Sequence, residues 1–201
     1  MAPVPQRPHE TSSDSNGEVA DILAAAARGD TTAWNDLIGR YSRRVFAMAK
    51  SRCASVELAE EVTQSVFVTV ASKLGHGGYT EQGRFESWLF RVAMNRIRDE
   101  MRRRSRQAVP TDPASLPPIA EHAPADRADA RELDRLREAM SQLSEPDREV
   151  IELRHHGQMS FKAMADLLDE PIGTLLARHH RALRKLKAAM EGAEIAEEVD
   201  A

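Results

Sequence analysis

Cysteine, aromatic side chains and long apolar runs are what this 201-residue chain has least of. A single cysteine, Cys53, excludes an intrachain disulfide and points to a reducing compartment; a small buried thiol is its expected role. Aromatics make up 4% of the residues. The one strand-like run, Val66-Phe67-Val68-Thr69-Val70, continues a helical apolar period, so an all-α protein is expected. No apolar stretch approaches the roughly 18 residues of a membrane span, and the N-terminus lacks the apolar core of a signal peptide. The expectation is a soluble, cytoplasmic chain without membrane insertion. No Gly-Lys-Ser/Thr follows the glycine-rich segment 75–83, which excludes a phosphate-binding P-loop. No set of nucleophile, base and oxyanion donors is present, so neither catalysis nor a cofactor is expected. His155-His156 and His179-His180 offer no metal site, because neighbouring residues on a helix point about 100° apart.

What is present is charge, unevenly distributed. The formal net charge is −4, yet residues 91–106 hold seven arginines against Asp99 and Glu100. From Ile172 to Met190 there are five Arg or Lys and no acid, and the last eleven residues hold five acids and no base. Basic stripes on an otherwise acidic chain suit a protein that touches nucleic acid with selected faces.

Residues 1–17 carry little to bury and read as a disordered tail. A short helix from Glu18 to Arg28 is closed by Gly29. Asp30 or Thr31 caps the next, where Ala33, Trp34, Leu37, Ile38, Tyr41, Val45, Phe46 and Ala49 recur at helical spacing. In Glu57–Leu74, Ala59, Val62, Val66, Val70 and Leu74 form an apolar seam. Glu57, Glu60, Glu61 and Gln64 lie opposite, and taken alone they are best read as a solvated face. Four glycines within 75–83 predict a mobile loop. The helix from Arg84 to about Arg106 opens with Phe85, Trp88 and Phe90. It is expected to bury Leu89, Val92, Ala93, Ile97 and Met101, while Arg91, Asn95, Arg98 and Arg102 recur on a more polar side. Aromatics beside a basic helix suit unstacked bases.

Five prolines lie in 107–130, which reads as an extended linker between an N-terminal helical bundle and a C-terminal unit starting at Arg131. There Leu133, Leu136 and Met140 share a face. Ser144 is placed to cap a helix presenting Val150, Ile151 and Leu153, and Gly157 ends it. Ser160 caps a short helix with Phe161, Met164, Ala165, Leu167 and Leu168, broken at Asp169-Glu170-Pro171. The last helix, Ile172 to Met190, has Ile172, Leu175, Leu176, Ala182, Leu183 and Leu186 on one side. Thr174, Ala177, Arg178, Arg181, Arg184 and Lys185 are on the other. Short helix, turn and longer basic helix is a helix-turn-helix pattern. Two such units on a tether can grip two separated DNA sites.

These residues together resemble a bacterial extracytoplasmic-function sigma factor of the two-domain type. The matching pieces run from Gly29-Asp30…Ala33-Trp34 through Ala59-Glu60-Glu61-Val62-Thr63-Gln64 and Phe85…Trp88-Leu89-Phe90-Arg91-Val92-Ala93…Asn95…Asp99…Arg102-Arg103. They continue in Pro146-Asp147-Arg148-Glu149-Val150 and Pro171-Ile172-Gly173-Thr174…Arg178…His180-Arg181-Ala182. The resemblance implies a region 2-like domain over 18–106, a linker over 107–130, a region 4-like helix-turn-helix domain over 131–190 and an acidic tail over 191–201. It implies core RNA polymerase and promoter DNA as partners, and an anti-sigma factor as a further one. Glu60, Glu61 and Gln64 would dock on the polymerase. Tyr79, Trp88, Arg91, Asn95, Arg98, Arg102 and Arg103 would melt and hold the −10 element. Thr174, Ala177, Arg178, Arg181, Arg184 and Lys185 would read the −35 element. The chain departs from the family pattern at Asp169, where glycine is usual and where Asp tolerates a left-handed turn. It departs again at Leu176, Ala177 and His179, where Lys, Ser and Leu are usual, which leaves Arg178 and Arg181 as the main expected readers. His179 is expected to be partly buried.

Overall fold

The computed structural model of the chain describes residues 12–53, 55–107 and 127–199. Among these residues there are eight helices and no strand: α1 (Ser12–Ala27), α2 (Thr31–Arg52), α3 (Val56–Gly75), α4 (Phe85–Gln107), α5 (Arg127–Ser141), α6 (Glu145–His155), α7 (Phe161–Leu168) and α8 (Ile172–Val199).

Most of the expected local signals act as read, and Ser55 adds a cap that was not anticipated. Gly29 adopts φ +89° and ends α1. The Asp30 carboxylate accepts from the amides of Thr32 and Ala33 to start α2. Ser55 caps α3 and Ser160 caps α7 in the same way. Asp169 takes the left-handed conformation at the end of α7, φ 56° and ψ 43°, as a glycine would. Ser144 occupies the N-cap position of α6 but makes no capping bond. Its hydroxyl bonds the Asp147 carboxylate instead.

Several boundaries differ from expectation. Helix α1 begins at Ser12, so 12–17 extend a helix rather than belong to a tail; a polar turn needs no core of its own when a buried turn follows it. The tail 1–11 and linker residues 108–126 lie outside the described residues. Helix α5 begins at Arg127, inside the expected linker. Helix α8 continues through 191–199, the expected acidic tail, where no proline interrupts it.

The N-terminal unit packs α2, α3 and α4 around Leu37, Val45, Met48, Val62, Val66, Val70, Leu89, Phe90, Ala93, Met94 and Ile97. Cys53 joins this core, and burial pushes its thiol pKa up. Trp34 is half-buried and its indole N–H donates to the Ala26 carbonyl at 3.0 Å, tying α2 to α1. In the C-terminal unit Leu143, Ile151, Ala182 and Leu186 form a small core of their own.

Some residues expected to be buried are not. Ile38, Met101, Leu133 and Leu136 are exposed, as are Ile172, Leu176 and Leu183 on α8 at 44%, 41% and 40%. Val92, Phe46 and Met140 are only half-buried. A helical wheel finds an apolar stripe, but the position of the neighbouring helix decides which edge is covered. On α8 that edge is Leu175, Ala182 and Leu186.

The largest departure from a tethered pair is that the two units are packed together. Val150, Leu153, Met159, Met164, Leu167 and Leu175 belong to the same apolar cluster as the N-terminal core.

Candidate polymerase and nucleic-acid interfaces

Three surfaces carry the candidate residues. The first is the outer face of α3, where Glu57, Glu60, Glu61 and Gln64 are all exposed, with Val68 beside them at 69% exposure. The buried seam of α3 fixes this face outward, because Ala59, Val62, Val66 and Val70 leave it no other orientation.

The second surface lies at the loop 76–84 and along α4. Gly77 and Gly83 hold φ values of +66° and +73°. Between them the half-buried ring of Tyr79 rests 4.4 Å from Trp88 and edge-on to Phe85 at 5.7 Å. The Tyr79 hydroxyl donates to Glu81 at 2.8 Å. Burial, and then this carboxylate, raise the phenol pKa and keep it neutral. Glu81 also accepts from the amides of Gly83 and Arg84, so one carboxylate pins both ends of the turn that presents the aromatic cluster. Farther along α4, Asn95 and Arg102 are exposed. Arg103 is held on its own helix by a two-toothed contact with Glu100, at 2.9 and 3.0 Å. Its neighbours Arg91 and Arg98 point elsewhere, as described below.

The third surface is the outer face of α8, reached after the left-handed turn at Asp169. Thr174, Ala177, Arg181, Arg184 and Lys185 are exposed and Arg178 is half-buried. Arg178 bonds both oxygens of Glu170, at 3.0 and 2.8 Å. Arg181 and Lys185 reach the two oxygens of Asp147, at 3.2 and 3.0 Å. The Asp147 side chain is 4% exposed. Its burial would raise the carboxyl pKa, but bonds from Lys185, Arg181 and Ser144 more than offset this and hold it low. The first turn of α6 therefore orients two cations of α8. Behind them His179 sits half-buried, edge-on to Phe161, with Nε2 3.2 Å from that of His155. Among the described residues no group of three metal-ligating side chains exists. No helix among them is long and apolar enough to cross a membrane.

Comparison with known proteins gives this geometry a family. Residues 37–107 match Sigma-70 region 2 and residues 133–186 match Sigma-70 region 4, together more than half the chain. The ECF RNA polymerase sigma factor RpoE of Cereibacter sphaeroides is 29% identical over 186 residues, 89% of this chain and 97% of its own length. The ECF RNA polymerase sigma factor SigE of Mycolicibacterium smegmatis is 28% identical over 167 residues, 80% of this chain; the match spans 64% of SigE. The chain belongs to the extracytoplasmic-function sigma factors. Among solved structures, CnrH in complex with the cytosolic domain of CnrY superposes with a TM-score of 0.64 at 25% identity, covering 86% of this chain and 97% of that one. Membership makes the chain a transcription initiation factor of RNA polymerase.

With the regions named, the α4 arginines can be placed. Arg91 donates to the carbonyls of Asp166 and Leu167 at the C-terminus of α7, at 3.1 and 2.7 Å, where a helix end is negative. Arg98 bonds Glu149 of α6 at 2.5 Å. Both therefore reach from region 2 to region 4. They are joined by residues that sequence reasoning passed over. Arg44 donates to the Gly157 carbonyl and to Glu86. The Ser87 hydroxyl donates to the Ala163 carbonyl at 2.9 Å. Arg52 bonds Glu152 at 2.6 Å and also Glu145. The one signal that could have found these contacts is the run Glu145, Glu149, Glu152, acids at i, i+4 and i+7 on an otherwise core-forming helix.

Proposed function

We propose that this sigma factor binds core RNA polymerase through the Glu60, Glu61 and Gln64 face of region 2 and grips a promoter at two points. Region 2, residues 12–107, opens the −10 element, and region 4, residues 127–190, reads the −35 element. The observation that carries the reading is the aromatic cluster of Tyr79, Phe85 and Trp88 on a pinned glycine turn, adjoining a helix with exposed Asn95 and Arg102. Strand opening needs a place for an unstacked base and cations for the backbone beside it. Tyr79 and Trp88 supply the stacking surface, and Asn95, Arg102 and Arg103 line the path of the strand. On α8, Thr174, Ala177, Arg178 and Arg181 face base edges, with Arg184 and Lys185 toward phosphates. CnrH, which this chain resembles, is seen in complex with the cytosolic domain of CnrY, which supports a protein partner for this factor too, here an anti-sigma factor. Action on the transcription machinery of a bacterial cell implies the cytoplasm.

The −10 assignment is tested by permanganate footprinting of open complexes formed with core polymerase. Asn95→Ala combined with Arg102→Ala is expected to remove thymine reactivity around −10 while leaving binding to core polymerase intact. Unchanged reactivity would contradict it.

A further inference from the structure

The first turns of a recognition helix are the part that meets base edges. On α8 their outward residues are Ile172, Gly173, Thr174, Leu176, Ala177 and His180, all exposed. Residues four apart stack into rows along a helix. One row runs Gly173, Ala177, Arg181, Lys185, and its two cations lean on Asp147. The row beside it runs Ile172, Leu176, His180, Arg184 and opens with two apolar side chains, 44% and 41% exposed. We propose that Leu176, with Ala177 at its side, reads thymine in the −35 element by contact with the C5-methyl group, which makes Leu176 a specificity-determining residue. This rests on the sigma-factor reading above, in which α8 faces the −35 duplex.

Chemistry narrows what this end of the helix can read. In the major groove the thymine C5-methyl is the apolar mark that separates T·A from the other pairs, and apolar side chains pack on it. Of the exposed residues between 172 and 177, Thr174 alone carries a side-chain donor or acceptor. The first charged group after it, Arg178, is half-buried and bonded to both oxygens of Glu170. Leu176 and Ala177 offer only methyl and methylene groups. An amino or keto group pressed against them would give up its water without replacement, whereas a methyl group gains by being covered. Approach to the bases is open. A Cβ on Gly173 would meet no neighbouring group within 4 Å, so packing inside the chain does not call for glycine at a helical position where it costs stability. Its bare backbone and the short side chain of Ala177 let the helix come close enough for Leu176 to touch a methyl group. On the inward side Leu175 and Ala182 are fully buried and fix the rotation of the helix, so Leu176 is presented rather than tucked away.

Removing the methyl group alone tests this. Promoters are recovered by the full chain with core polymerase from a library randomised across the −10 and −35 regions, and their −35 elements are expected to share a thymine on one strand. Each −35 thymine is then replaced singly by deoxyuridine, which pairs as thymine does and lacks only the methyl group. At the position read, abortive transcription by the parent at limiting holoenzyme is expected to fall about fourfold, the worth of one methyl-sized group taken from water. Leu176→Ala, with helicity checked by circular dichroism, should not respond to that replacement. Leu176→Lys is expected to move the preference at the same position from thymine to guanine, whose O6 and N7 accept from an ammonium group. Recovered elements without a shared thymine, an equal response of parent and Leu176→Ala to deoxyuridine, or an unchanged thymine preference in Leu176→Lys would overturn the inference. If the parent chain gives no promoter-specific transcripts, the sigma-factor reading fails and takes this inference with it. Transcripts that depend on the −35 element yet ignore the thymine methyl sink this inference alone.

Discussion

Glycine at position 157 is required by contact rather than by backbone angle. Any side chain there meets the Leu153 carbonyl and the Met48 sulfur together, so relief has to come from backbone movement. Gly157→Ala is expected to destabilise the chain by about 1–3 kcal/mol, the range for overpacking a filled site, measurable as a lowered chemical-denaturation midpoint. Glu152 is the other decisive single residue. Burial pushes its carboxyl pKa up to about 7, with Arg52 opposing the shift but not cancelling it, while the Arg52 guanidinium stays charged beside it. An ordinary glutamate titrates near about 4.3. Since the folded value is raised, the stability this group contributes is complete below the ordinary value and is lost as pH rises through about 7. The difference in melting temperature between the parent and Glu152→Gln should therefore change between pH 5 and pH 8, with the parent losing relative stability on the alkaline side. A pH-independent difference would contradict the placement of this carboxyl. Sequence showed some of this scale well: Asp169 was readable as a left-handed turn residue because its side chain tolerates that conformation. Glu152 was not readable, because its partner Arg52 lies 100 residues away in the chain.

Helices and their exposed faces are the scale at which the sequence was most legible. The α3 seam and the caps at Asp30 and Ser160 are local, and local signals survive folding. The edges of apolar stripes were less legible, as Leu176 and Leu183 show: they extend a stripe whose centre alone is covered, by α5, α6 and α7. In the proposed −35 role, α8 would meet DNA with its outer face. Arg178 is braced by Glu170 and Arg181 by Asp147, so each guanidinium is held in place before DNA arrives. Arg178→Ala or Arg181→Ala is expected to weaken recognition by about 1–3 kcal/mol where the side chain contacts a base. The measurement is abortive transcription from promoters that differ only in the −35 element. Equal losses on every −35 sequence would place the residue on phosphate instead.

At the scale of the whole molecule, two family regions appear in chain order and fold as helical units that share part of one core. The division into two helical units was legible from the change in helix pattern. Their packing was not, because interfaces between units join residues with no periodic relation in sequence. This packing also changes how the basic row of α4 is understood: Arg91 and Arg98 face region 4, while Asn95 and Arg102 face outward. The central claim is that the chain directs promoter-specific initiation, and the most direct measurement is multi-round transcription by purified core polymerase, with and without the chain, over a library of promoter fragments. The account predicts transcripts from fixed start sites only when the chain is present, each lost when either the −10 or the −35 element is altered. Transcription no different from core polymerase alone, with specific duplex binding by the chain on its own, would contradict it.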